Sequence, residues 1–253
     1  MFDGELDMLE MRLNHLAGKV HRTVITEASV THRGVPKPLR YTENRERFAA
    51  FADWITFVEV SELPEGSDHW QREHAQRDAA WHHLAGVRPD DILLVADCDE
   101  IPSDAALGGC PEQGAAALRQ RVFHSACDWE YPVPQLTSVV VRAGCVSGPR
   151  RPSLSQVRDQ RHALPVIEDG GWHFSWLGTE ADRERKLAAT CHTEMPRAEW
   201  EAIRTGATWN RGEHHAPDSG VVPVTVDETW PAWIRDGRCP PYWLRPRMTE
   251  GAA

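Results

Sequence analysis

Two aspartates one residue apart follow an apolar run: Asp91-Ile92-Leu93-Leu94-Val95-Ala96 leads into Asp97-Cys98-Asp99-Glu100. In an extended chain alternate side chains share a face, so Asp97 and Asp99 are expected to point together and Cys98 away. Side-by-side carboxylates repel one another unless a proton or a cation lies between them. Hard oxygen ligands of this kind suit Mg²⁺ or Mn²⁺, which keep positions open for phosphate oxygens. The same triplet also reads as a capped turn, since aspartate accepts hydrogen bonds from backbone amides at loop starts. Pro102 closes the segment by preventing strand continuation.

The elements that must position these acids follow from periodicity. The run before Asp97 has the pattern of a strand buried on both faces. Leu6, Leu9, Leu13 and Leu16 recur at helical spacing and predict an amphipathic helix stopped near Gly18. Strands are expected at Val20–Ala28 and Trp54–Val60, and helices around Glu43–Asp53 and Trp70–Leu84. Pro64–Ser67 reads as a turn, and Thr31–Thr42 as a loop. This alternation up to residue 100 implies a doubly wound, mostly parallel sheet flanked by helices, with ligands beyond the carboxyl ends of its strands. Beyond Pro102 the pattern is less regular. Strands are read at Val139–Val141 and Val221–Val226, a loop at Gly148–Pro152 and a helix at Asp182–Ala189. The shift there suggests two halves of one domain covering 1–253: a nucleotide half (about 1–102) and an acceptor half (about 103–253).

Composition narrows the function. The 253 residues carry a formal net charge of −10, against the basic face that a nucleic-acid binder needs. An acidic protein holds an anion such as a phosphate only where arginines, helix N-termini or a metal reverse the local field. Eleven tryptophans offer flat faces for sugars or bases beside those needed for a core. No run approaches the roughly 20 apolar residues of a membrane span, and no basic-then-apolar signal opens the chain; a cytoplasmic location is the expectation. The six cysteines have no paired spacing, so structural zinc is disfavoured and reduced thiols are the default.

Several motifs occur in order along the chain: Glu5-Leu6-Asp7-x-Leu9-Glu10-x-Arg12-Leu13, Glu27, Thr31-x-x-Gly34-x-Pro36-Lys37-Pro38-Leu39, and Trp70-x-Arg72-Glu73-x-x-Gln76-Arg77. Asp90-Asp91-Ile92, Asp97-x-Asp99-Glu100-Ile101-Pro102 and Gly170-Gly171-Trp172-His173-Phe174-Ser175 complete the set. Together they resemble glycosyltransferase family 17, which includes β-1,4-mannosyl-glycoprotein 4-β-N-acetylglucosaminyltransferase. The resemblance implies a GT-A fold for nucleotide-diphospho-sugar transfer, a UDP-sugar donor, a divalent metal (Mn²⁺ or Mg²⁺) and an inverting transfer. It places the metal and diphosphate at Asp97 and Asp99. Members usually have a strand before the Glu-Leu-Asp opening; here the chain begins at Met1-Phe2, and that strand is read as short or absent.

Other roles are inferred for residues in these motifs. Glu27 could accept hydrogen bonds from the ribose or base, or cap a surface turn. Arg77 is the preferred nucleotide contact. Arg72 reads as an ion partner of Glu73 or a diphosphate contact, and Lys37 as a phosphate contact or a solvated charge. His173 is read as a third metal ligand or phosphate contact, or as a hydrogen-bonded core histidine. Trp172 and Trp176 could wall an acceptor site, with core packing the alternative for Trp172. Inversion needs a carboxylate to deprotonate the acceptor hydroxyl, and Glu194, Glu168 and Asp169 are the candidates.

The expected function is therefore metal-dependent transfer of a sugar, N-acetylglucosamine by the resemblance, from a UDP-sugar to a hydroxyl of a glycan, glycolipid or small-molecule acceptor. Two alternatives stand beside it. One is a degenerate relative that binds a nucleotide sugar or glycan without turnover. The other is a metal-dependent nucleotidyl or phosphoryl transferase, which also needs paired carboxylates but finds no glycine-rich phosphate loop here.

Overall fold

The leucine stripe near the amino end forms helix α1 (Leu6–Leu16), burying Met8, Leu9, Met11, Leu13 and Leu16. Met8, Leu9, Met11 and Leu13 meet Ile101, Phe123, Trp172, Phe174 and Trp230 in the largest apolar core. The computed structural model describes residues 1–61, 63, 66–84, 86–146, 151–205 and 221–244. Pro64 and Glu65 of the expected turn, and residues 148–150 of the expected loop, lie outside the described residues.

Nine strands are described, in two sheets. β1 (Thr23–Ala28) and β2 (Ile55–Val60) pair in parallel with Thr23 opposite Ile55. The second sheet holds β3 (Ile92–Val95), β4 (Glu100–Pro102), β5 (Ala115–His124), β6 (Trp129–Arg142) and β8 (Gly171–Ser175), in the order β3-β6-β5-β8-β4. The two-residue strands β7 (Val166–Ile167) and β9 (Val222–Pro223) join β5 and β6. The expectation of a mostly parallel sheet is thus corrected to a mixed one. In the larger sheet only β5–β7 and β5–β8 are parallel, and the other pairs are antiparallel.

The physical reason lies in a long hairpin that periodicity hides. β5 opens with three alanines, good helix formers, and β6 contains Pro132 and Pro134, which ordinarily argue against a strand. The hairpin accommodates its irregular pairing with register shifts between Ala117 and Arg119 and between Gln120 and Val122. Val221–Val226 contributes a strand only at Val222–Pro223.

A second correction concerns β3. Its apolar run predicted burial on both faces, yet only Val95 is buried and Ile92 is 40% exposed.

Helices pack on the larger sheet from two sides. Val139 and Val141 of β6 face α3 (Leu154–Asp159), joining Val95, Leu154 and Val157. Val140, pointing the other way, packs with Ala106, Ala116 and Leu118. α2 (His69–Asp78) starts at a reciprocal cap between Asp68 and Gln71 and continues as a 3₁₀ helix, Ala79–His83. α4 (Glu180–Ala189) has the same device at Thr179 and Asp182, and α5 (Arg197–Thr205) packs beside it. The predicted helix at Glu43–Asp53 is a helical turn, Arg40–Glu43, followed by a 3₁₀ stretch, Arg45–Trp54. All six cysteines are free.

Candidate active site

After Val95 the chain leaves the sheet, and the Glu100 N–H closes a turn onto the Asp97 carbonyl at 3.2 Å. The extended geometry expected for Asp97-Cys98-Asp99 is therefore replaced by a bend. Arg12 of α1 fastens it from below, donating to the carbonyls of Asp97 and Glu100. The bend gives the two aspartates separate partners.

Asp97 is enclosed by cations. Arg158 of α3 reaches Oδ2 at 2.8 Å, Arg77 of α2 reaches Oδ1 at 3.2 Å, and the Met1 ammonium lies 3.8 Å from Oδ1. Arg158 also holds Glu100, at 2.7 Å to Oε2, and Arg77 holds Glu73. Glu100 accepts further bonds from the Asp97 N–H at 2.8 Å and the Ser138 hydroxyl at 3.0 Å. Burial alone would raise both carboxyls. The arginines reverse it, lowering Glu100 to about 2 and Asp97 well below the usual carboxylate range.

Asp99 faces a different environment. Its Oδ2 pairs with Lys186 of α4 at 2.7 Å, and its Oδ1 lies 3.8 Å from His173 Nε2. Lys186 also reaches Glu5 at 3.0 Å, and these two acids raise the lysine's pKa against the lowering effect of burial. His173 arrives from β8, where it pairs with Glu100 of β4, and its buried Nδ1 has no hydrogen-bond partner. Asp99 and Lys186 open onto a cavity of about 380 Å³, also lined by Asp3, Arg40, Arg47, Arg185 and Tyr242.

The chemistry of these donor sets decides where a divalent ion fits. Asp97 does not fit, because both oxygens are engaged by arginines. Asp99 and His173 do fit: ligands of one ion bound at about 2.1 Å can lie 3.8 Å apart, and such ions are often held by one or two protein groups plus phosphate oxygens. Among the described residues, no group of three His, Cys, Asp or Glu side chains converges on a point.

The other expected residues are spread more widely. Glu27 is fully buried and accepts from the backbone N–H of Arg40 at 2.8 Å and of Tyr41 at 3.0 Å, so it caps an internal turn. Lys37 is no solvated charge: it bridges Asp3 at 3.0 Å and Glu27 at 3.4 Å. Glu73 takes Arg77, not the expected Arg72, as its ion partner; Arg72 donates to the His32 carbonyl at 2.9 Å. Trp172 belongs to the main core, and Trp176 packs with Leu187 and Ile203 with its ring 5.5 Å from the Lys186 ammonium.

None of the three expected bases lines the cavity beside Asp99. Glu194 is 64% exposed and pairs with His192 at 2.8 Å. Glu168 pairs with Arg119 at 2.8 Å. Asp169 turns the chain at a left-handed φ of 52° before β8, while the cavity lies past the other end of that strand, at Leu177 and Gly178.

Sequence reasoning missed Arg158, Lys186 and Asp3. Arg158 lies in a stretch without motif features. Lys186 lay on a correctly read helix, where its position could have been tested against the acid cluster.

This is a mixed α/β protein whose sheet presents an acid-bearing turn to a polar cavity. Residues 1–200 match the family model described as "Glycosyltransferase family 17", and the chain belongs to that family. It is similar to the human β-1,4-mannosyl-glycoprotein 4-β-N-acetylglucosaminyltransferase, with 25% identity over 229 residues, covering 76% of this chain and 42% of the relative. The rat enzyme of the same name is 24% identical over 229 residues, with the same coverage. The chain thus spans less than half the length of these curated relatives. No helix among the described residues is long and apolar enough to cross a membrane.

Proposed function

We propose that the chain is a GT-A-type, inverting glycosyltransferase that moves N-acetylglucosamine from UDP-N-acetylglucosamine to a hydroxyl of a glycan or small-molecule acceptor. Family membership supports the reaction class, and the names of the relatives support the sugar. The observation that carries the site is Asp99, poised between Lys186 and His173 at a polar cavity of about 380 Å³.

In this reading Asp99 and His173 hold a Mn²⁺ or Mg²⁺ ion, which when bound offsets the charge of the departing diphosphate. Lys186, paired with Asp99 at the cavity, could offer its own positive charge to the donor's diphosphate and so support the leaving group. Arg77 and Arg158 act one layer deeper, holding the turn that aims Asp99. The proton of the acceptor hydroxyl passes to a carboxylate. Asp3 suits this by position, because it lines the cavity and burial raises its pKa against the pull of Lys37.

Calorimetry with UDP-N-acetylglucosamine, with and without Mn²⁺, tests the donor and ion together; binding that is identical in both arms removes the ion from the reading. Assays of UDP release with glycan acceptors test transfer itself. The engagement of Asp97 by arginines favours one other reading, a nucleotide-sugar or glycan binder without turnover. Ion-dependent binding with no UDP release across the acceptors would select it.

A further inference from the structure

The six cysteines are free, but two of them meet across a long stretch of chain. Cys127 sits in the turn between β5 and β6, Cys239 follows the helical turn Ala232–Arg235, and the two thiols hydrogen-bond to each other. Both side chains belong to the main apolar core, where Cys127 is fully buried and Cys239 is 7% exposed.

Cys239 is part of a strap, residues 230–244, that reaches the candidate active site. Trp230, Trp233 and Ile234 sink into the main core, and Ala232–Arg235 lies against α1. After Cys239 the strap forms a 3₁₀ turn, Pro241–Trp243. Tyr242 and Trp243 line the cavity beside Asp99, and the Tyr242 hydroxyl donates to Asp7. On its other side the strap is tied back to the β5–β6 turn, the Cys127 N–H donating to the Trp243 carbonyl at 2.7 Å. The thiol pair and this backbone bond therefore join the same two segments, and one of those segments is a wall of the cavity.

We propose that Cys127 and Cys239 are an oxidisable thiol pair, whose disulfide bolts the strap, and with it one wall of the cavity, to the β5–β6 turn. The oxidant is a small-molecule disulfide. Cys239, the more accessible of the two, attacks one of its sulfurs, forming a mixed disulfide and releasing one thiolate, which takes the Cys239 proton. Cys127 then attacks the Cys239 sulfur, and its proton goes to the second thiolate as that leaves. The protein gives up two hydrogens and two electrons, and the oxidant becomes two thiols.

The chemistry of the pair suits these roles. The bond from Cys127 lowers the Cys239 thiol to about 7, while the same contact and burial raise that of Cys127. An attacking thiol works best when its pKa is near the ambient pH, and the resolving thiol has only to reach a sulfur it already touches. Cys98 and Cys191 differ: burial raises their thiols, as in inert structural cysteines.

The test treats the folded full chain with oxidised glutathione, alkylates the remaining thiols and maps the peptides by mass. A peptide pair joined through Cys127 and Cys239 is expected, lighter by two hydrogens than its parts and separated again by dithiothreitol. Cys145→Ser is expected to leave this bond unchanged, and Cys239→Ser to leave Cys127 reduced. Alkylation of both thiols after the oxidant overturns the proposal, as does a lasting glutathione adduct on Cys239 or a bond from either to a different cysteine. In the oxidised chain the amides of Cys127 and Trp243 are expected to exchange about tenfold more slowly. Unchanged exchange overturns the fastening of the wall. That this wall borders a donor site rests on the function proposed above, but neither readout depends on sugar transfer. Failure of the thiol pair thus leaves that function standing, and absence of UDP release leaves the thiol pair standing.

Discussion

Asp97 and Asp99 stand two residues apart and live in different electrostatic worlds. Asp97 is held by Arg158 at 2.8 Å and Arg77 at 3.2 Å, with Glu100 and Glu73 completing an ion network. Asp99 has one lysine, at 2.7 Å, and an incompletely bonded histidine, beside a cavity. A buried charge network with all its partners in place is a poor place to bind anything new, because each added ligand must displace a partner. A single flexible lysine on a four-carbon stem is displaced at far lower cost. One acid of the pair thus organises the turn, and the other is available for chemistry.

The most severe break in this contrast is Arg158→Met. It leaves Asp97 and Glu100 without their shared cation, and loss of one partner from a buried pair costs about 3–5 kcal/mol. Urea unfolding should show this loss in the midpoint, and an unchanged midpoint would place the network at the periphery of stability. Asp99→Asn should act on function: UDP release is expected to fall ~100-fold, the size typical of one lost electrostatic contact to a developing charge. Its unfolding midpoint should move less than that of Arg158→Met. A reversal of these two rankings would exchange the roles of the acids.

The pH dependence sharpens the same comparison. Glu100 falls from 4.5 to about 2 in the folded chain, and Asp97 moves in the same direction. A depressed folded pKa stabilises the fold above the unfolded value, and that stability disappears as protons bind. Unfolding midpoints should therefore hold down to pH about 4.5 and decline between about 4.5 and about 2. In Arg158→Met this decline should flatten. The smallest effect is expected at Glu194→Gln, where UDP release should stay within about twofold of the parent, since an exposed charge pair contributes little. A tenfold loss there would return Glu194 to the reaction as its base.

How far the residues themselves foretold this arrangement depended on which forces were local. α1, β1, β2, α2 and α4 followed from the pattern of residues along the chain, because a stripe of leucines or a short apolar run acts within a few positions. The ordered motifs identified the family for the same reason, each being contiguous. The β5–β6 hairpin escaped because its alanines and prolines carry the wrong local preferences, and pairing with neighbours overrides them. The bend at 97–100 was readable only as the alternative to an extended chain, and local residues could not choose between them because Arg12, some 85 residues away along the chain, helps to hold it. His173 could be named from its motif, whereas Arg158 and Lys186 became visible only when α3 and α4 were placed against the turn.

The Gly170-Gly171 pair ahead of His173 has a consequence for what mutation can reach. Gly171 has a φ of 116°, and a Cβ built on it would lie 2.1 Å from the Ile101 carbonyl; one on Gly170 would lie 2.8 Å from Leu118. No side chain fits at either position without moving the strands apart. The pair acts as a register stop, since sliding β8 by one residue would put Trp172 where a glycine must be. The aim of the His173 imidazole is thus set by two missing methyl groups. Variation that retunes this site has to come from the cavity's side chains, because the backbone beneath it has no neighbouring sequence to move to.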